Sequence, residues 1–253
     1  MTDPTTEHPS QWSPEVLVAM TPVLRQLHMA IHDPFAGTGV RLGALCDKLR
    51  LTFTGTELEQ EFIVEPRVRQ GDSTWPDSYP TQPHVIVTSP VYPNGMADHF
   101  RASEPEGRHT YRQAIHRLTG EDRPLHESNM GRYSIRRGEK AFQTYAVLAT
   151  AAAGWWFPSV VVLNVSDFYV GDERFPLVRY WRELLKALGY KFAADIEVKT
   201  RRQGHGVNRD RRVECEVILT AFPREDFAPS QPVDVAYAYR KLAGRKQREL
   251  VSP

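Results

Sequence analysis

Val85-Ile86-Val87-Thr88-Ser89-Pro90-Val91-Tyr92-Pro93-Asn94 runs from apolar and β-branched residues straight into a stiff, aromatic turn. The run reads as a buried strand, and in open α/β sheets ligands sit beyond the carboxyl ends of the strands. Pro90 and Pro93 fix the backbone on either side of Tyr92, and Ser89 supplies a small hydroxyl beside them. A strand followed by an ordinary Pro-rich loop would look the same in isolation. The residues upstream separate the two readings.

Trp12 to Leu27 has the pattern of a helix, with Ser13 as cap and Pro14 in the first turn. His28 to His32 reads as a short strand, followed by Asp33-Pro34-Phe35-Ala36-Gly37-Thr38-Gly39 and then a helix from Val40 to Leu49. Strand, glycine turn and helix let backbone N–H groups approach a nucleotide or nucleoside. A phosphate loop would need Gly-Lys-Ser/Thr, which is absent here. A dinucleotide fingerprint needs a third glycine three residues after the second, but Gly43 comes four after Gly39. The Asp33–Gly39 loop instead resembles motif I of the S-adenosylmethionine-dependent amino-methyltransferases that act on nucleic-acid bases. There the loop curls round the methionine part of the cofactor, which implies that role for Asp33, Pro34, Phe35, Gly37, Thr38 and Gly39.

The following elements fall where that resemblance needs them. Leu51 to Thr56 alternates as a strand ending at Glu57, a carboxylate suited to ribose hydroxyls. Val68 leads to Gly71-Asp72, a third strand end whose Asp72 would meet the adenine amino group. Thr88-Ser89-Pro90-Val91-Tyr92 is similar to the family's Ser-Pro-Pro-Tyr motif IV, with Val91 in place of the usual second proline. That change adds an N–H and frees φ at the position. His8-Pro9 resembles the family's segment preceding motif I. The resemblance spans Trp12 to Phe222 and implies a Rossmann-like class I methyltransferase fold: a seven-stranded, mostly parallel sheet with an antiparallel C-terminal strand. It divides the chain into one domain at 11–225, with a basic insertion at about 95–138, and a tail at 226–253.

The insertion, Gly95 to Gly138, carries Arg101, Arg108, Arg112, Arg117, Arg123, Arg132, Arg136 and Arg137, with a helical stretch at Tyr111 to Leu118. It reads as a nucleic-acid face in preference to a solvated excursion. Glu139 to Phe157 is apolar nearly all round and reads as a buried helix, and Val160 to Val165 as a central strand. Leu177, Trp181, Leu184 and Leu188 form a helical stripe stopped by Gly189. Tyr190 to Lys199 and Val213 to Phe222 read as the last strands, the second with one apolar face. Between them, Thr200 to Arg212 holds five arginines against one aspartate, a net charge of +4. Arg201, Arg202, His205, Arg209, Arg211 and Arg212, with Arg136 and Arg137, are the residues expected to track a phosphate backbone.

Composition sets the outer bounds. Hydrophobic residues make up 41% of 253, enough for a sizeable core, and the net charge of +1 leaves only local clusters to speak for a polyanion. Cys46 and Cys215 lack CxxC spacing and read as buried free thiols of a reducing cytosol. The nine histidines show no metal-ligand spacing, so no metal is expected, and no membrane segment or signal peptide is evident. A cytoplasmic protein, bacterial or phage-encoded, is the expectation; a homodimer is allowed.

An exocyclic base amine is a poor nucleophile because its lone pair is conjugated into the ring. Two acceptors on its hydrogens, the Ser89 side chain and the Pro90 carbonyl, would pull the nitrogen toward tetrahedral geometry, while Tyr92 stacks on the extruded base. The resemblance therefore implies a site-specific DNA methyltransferase using S-adenosylmethionine. Serine at position 89 favours cytosine N4 as the target. Adenine N6, an RNA base, a protein glutamine and a catalytically degenerate DNA-binding relative remain open alternatives.

Overall fold

The computed structural model describes residues 12–80, 84–93, 110–134, 138–170, 173–200 and 215–226. The first helix, α1 (Pro14–Leu24), begins where Ser13 accepts a hydrogen bond from the Val16 amide at 3.2 Å, with Pro14 in the first turn. Val16, Met20 and Leu24 repeat every four residues and bury one face of it. Strand β1 (Ile31–Asp33) leads through the glycine turn to α2 (Val40–Leu49). Then come β2 (Phe53–Glu57), β3 (Val68–Gln70) and β4 (Val85–Thr88), with short 3-10 turns at Gln60–Phe62 and Pro76–Ser78.

After β4 the chain forms α3 (Tyr111–Thr119), capped by Thr110, then α4 (Glu139–Gly154) and β5 (Val161–Val165). A small antiparallel hairpin, β6 (Phe168–Val170) and β7 (Glu173–Phe175), precedes α5 (Leu177–Ala187). The edge is built from β8 (Tyr190–Phe192) and β9 (Ile196–Lys199), and the chain returns through β10 (Cys215–Pro223).

The main sheet has the order β3-β2-β1-β4-β5-β10-β8, with β9 also paired to β10. Strands β1 to β5 pair in parallel, and β10 runs antiparallel to β5, β8 and β9. This is the expected Rossmann-like α/β fold, mostly parallel and reversed at the C-terminal strand. Eight strands replace the expected seven because the edge strand is broken. Phe192 pairs with Ala221 and Ile196 with Ile218, so β8 and β9 occupy successive stretches beside one β10.

Alternating side chains enter two apolar layers. Val85 and Val87 of β4, Val162 of β5 and Ile218 of β10 pack with α1 and α2. Ile86, Val161, Leu163, Val165, Leu219 and Ala221 pack with α4 and α5. The sheet is therefore covered on both sides, as parallel sheets require. Strand β10 correspondingly buries both of its faces at its centre, not the single face its sequence pattern suggests. Helix α4 is not buried all round either, since Val147 is exposed on its outer side. Cys46 is buried but Cys215 only half-buried.

Candidate functional site

Strands β1, β2, β4 and β5 all point their carboxyl ends to one side of the sheet. Parallel pairing of β1 with β4 brings Asp33 and Thr88 together, and the Thr88 hydroxyl donates to Asp33 Oδ1 at 2.6 Å. The same oxygen accepts from the Phe35 amide at 3.0 Å, which turns the glycine loop back over the strand. Asp33 is fully buried, and burial pushes its carboxyl up to about 7 against the pull of these donors.

The glycine loop is fastened at several further points. Ala36 N–H donates to the Thr56 carbonyl at 3.0 Å, and Ser73 Oγ donates to the Pro34 carbonyl. Gly37 has φ +56° and its N–H donates to Glu57 Oε2 at 2.9 Å. The other Glu57 oxygen accepts from the Glu59 amide at 2.9 Å. Burial also pushes the Glu57 carboxyl up to about 7, opposed by those two amides and that of Leu58. Gly39 is closely packed. At φ +69°, a Cβ there would lie 2.5 Å from Val68 Cγ2 and 2.9 Å from Glu65 Cβ. Asp72 at the end of β3 is half-buried, with Oδ1 accepting from the amide and hydroxyl of Thr74 at 2.9 and 2.7 Å. Pro34 and Thr38 are buried within the loop, and Phe35 is half-buried against the α4–α5 layer.

Beyond β4, Pro90 is buried while Ser89, Val91 and Tyr92 are half-buried. The Tyr92 hydroxyl accepts from the Ser166 amide at 3.1 Å and lies 3.2 Å from Ser166 Oγ. Its ring sits 5.9 Å from that of Phe168, tilted by 41°. The Tyr145 hydroxyl of α4 donates to the Val91 carbonyl at 2.8 Å. Asp33, Glu57 and Ser89 to Tyr92 are thus gathered at neighbouring strand ends. Ser166 and Phe168 join them although no motif marks them; their place just after the apolar β5 run was the available signal.

Three arginines of the expected basic face are engaged within the protein. Arg123 Nη2 donates to Glu59 Oε2 at 2.8 Å, and the guanidinium also grips Glu61 at 2.6 and 2.7 Å. Arg112 pairs with Asp122 at 2.6 Å, and Arg132 donates to the Leu125 carbonyl at 2.9 Å. These arginines hold the 110–134 segment to itself and to the turn after β2. Ala114, Ile115 and Leu125 bury Phe62 beneath it. Arg136, Arg137, Arg201, Arg202, His205, Arg209, Arg211 and Arg212 lie outside the described residues. Among the described residues, no group of three or more His, Cys, Asp or Glu could hold a metal ion, and no helix is long and apolar enough to cross a membrane.

No family model and no curated protein matches the sequence. Among solved structures the chain is similar to TrmN from Thermus thermophilus (13% identity, TM-score 0.45), over 87% of this chain and 52% of that one. It is also similar to glycopeptide N-methyltransferase MtfA in complex with S-adenosyl-L-methionine (11% identity, TM-score 0.41; 84% and 96% of the two chains). A third is precorrin-6y C5,15-methyltransferase from Geobacter metallireducens (12% identity, TM-score 0.39; 85% and 90%). This chain spans about half the length of TrmN.

Proposed function

We propose that the protein is an S-adenosylmethionine-dependent methyltransferase acting on the exocyclic amine of a DNA base, with cytosine N4 the favoured target. The observation that carries this reading is the Thr88–Asp33 hydrogen bond, which joins the glycine loop to the Ser89–Tyr92 loop at adjacent strand ends. One loop has the make-up of a nucleoside site and the other offers acceptors for an amine. Only their contact makes them a single site.

The residues present fit such a cofactor. Glu57 accepts from the Gly37, Leu58 and Glu59 amides, and a carboxylate has about four lone-pair sites, so capacity remains for a ribose hydroxyl. Asp72 supplies a further half-buried carboxylate at the end of the neighbouring strand. When bound, S-adenosylmethionine supplies an electrophilic methyl group on a positively charged sulfur.

The protein's own part is to bind and orient. Ser89 Oγ and the Pro90 carbonyl accept the two amino hydrogens of the target base, which localises the lone pair on nitrogen and aims it at the methyl group. Tyr92 stacks on the base after extrusion from the duplex, as chemistry on a paired base requires. The methylated amine is acidic enough to lose its proton without a strong base. Five arginines at 201–212 concentrate positive charge in a chain of net charge +1 and suit a phosphate backbone.

The test is incubation of the purified chain with labelled methyl donor and unmodified DNA, followed by nucleoside analysis. Labelled N4-methylcytosine is expected, and it should vanish with Ser89→Ala. Labelled N6-methyladenine would move the assignment to the adenine class. Label on RNA or protein but not on DNA would overturn DNA as the acceptor.

A further inference from the structure

The Ser89–Pro93 loop is fixed unevenly by its own chain. Pro90 and Pro93 have their φ locked by their rings, but Val91 and Tyr92 between them do not. Those free torsions lie between the Pro90 carbonyl and the Tyr92 ring. In the methyltransferase reading these two groups must act on one base. Two hydrogen bonds from outside the loop act at this point. The Tyr145 hydroxyl holds the Val91 carbonyl at 2.8 Å, and the Ser166 amide holds the Tyr92 hydroxyl at 3.1 Å. One tie comes from α4 in the helical layer, the other from the residue after β5. Phe168 flanks the Tyr92 ring.

We infer that Tyr145 and Ser166 are positioning residues, a two-point clamp that sets the Pro90 carbonyl against the Tyr92 ring; this rests on the methyltransferase reading. Tyr145 is itself held rigidly. It is fully buried, stacked on Phe142 with ring centres 6.2 Å apart and 5.9 Å from Tyr180. Burial also keeps its phenol protonated well beyond the ordinary tyrosine range, so the hydroxyl stays a donor. Its bond fixes the Val91 peptide plane, while the Ser166 contacts fix the far end of the Tyr92 side chain. Fixing both ends restrains the torsions that the prolines leave free. A clamp of this kind contributes by orientation, and a misplacement on the order of 1 Å at a reacting centre costs about 100-fold in rate.

Tyr145→Phe, which removes the donor to the Val91 carbonyl, and Tyr92→Phe, which keeps the ring but removes the hydroxyl held by the Ser166 amide, test the clamp in the full chain by two readouts. Amide exchange of the 88–93 segment should quicken about tenfold in each variant, with exchange in β1 and β2 and affinity for S-adenosylhomocysteine unchanged. In methyl transfer to DNA, kcat should fall about tenfold while KM for the methyl donor stays level, the split expected when orientation and not cofactor binding is lost. Unchanged exchange at 88–93 in both variants would overturn the inference. So would unchanged kcat in both when Ser89→Ala abolishes turnover. If wild-type protein transfers no methyl group to DNA yet the loop exchange responds as stated, the DNA assignment fails and the clamp stands.

Discussion

Replacing Arg123 by Ala separates a phosphate-binding arginine from one used to hold the fold together. Its guanidinium bridges Glu59 and Glu61, whose side chains are 2% and 19% exposed, while that of Arg123 is 32% exposed. Breaking a fully buried pair costs roughly 3–5 kcal/mol. Two features lower that figure: Arg123 is partly screened by solvent, and Glu59 keeps the His126 amide at 3.0 Å and Asn129 Nδ2 at 3.1 Å. A loss of about 1–3 kcal/mol is therefore expected. For a chain of this size each kcal/mol lowers the melting temperature by about 2–4 °C. Denaturant titration should show the loss, and a cycle with Glu59→Gln should return a coupling of at least ~0.5 kcal/mol, as for neighbours in one network. DNA affinity and its salt dependence should stay at wild-type values. Wild-type stability, together with a drop of about 0.9 in the slope of log K against log salt, would make Arg123 a phosphate contact and refute the structural account.

Further predictions follow from the same geometry. Gly39→Ala combines a left-handed backbone with the 2.5 Å approach to Val68, and should cost about 2–4 kcal/mol in denaturant titration; wild-type stability would deny the close packing. Asp33 and Glu57 have ordinary values of 3.8 and 4.5 and native values of about 7, so the native state binds their protons more tightly than the unfolded chain does. Their contribution to stability is therefore most favourable below about pH 4 and is lost as pH rises toward 7, by up to ~1.4 kcal/mol per pH unit for each group. Asp33→Asn should flatten that slope in melts between about pH 5 and pH 7, and an unchanged slope would show that Asp33 ionises normally. Replacing Arg201, Arg202, Arg209 and Arg212 by Ala should weaken DNA binding on all sequences and shallow the salt slope by about 0.9 per lost phosphate contact, with folding unaffected. Wild-type affinity would leave that loop without a role in DNA binding.

The legible parts of this chain were those where local pattern and tertiary role coincide. Val85 to Thr88 is apolar because both faces of the sheet are covered, and its polar continuation lies at the strand end. Ser13-Pro14 and the Val40–Leu49 pattern state their helices in capping and periodicity alone. Other features depend on partners distant in sequence. Glu59 meets Arg123, His126 and Asn129 across more than sixty positions, and nothing near Arg123 in sequence tells an ion-paired arginine from a free one. The Phe168–Phe175 hairpin escaped because its strands are only three residues long, although Gly171-Asp172 between them is a hairpin dipeptide. At Gly39 the close packing was not legible, since the neighbour, Val68, belongs to another strand.

The central claim is that one site at the ends of β1, β2 and β4 holds the cofactor beside the Ser89–Tyr92 loop. Amide hydrogen exchange with and without S-adenosylhomocysteine tests it most directly, because it reports both binding and place. Slower exchange is predicted at 35–39, 57–59 and 88–92, with NAD producing none. Protection confined to other segments, or produced by NAD and not by S-adenosylhomocysteine, would contradict it.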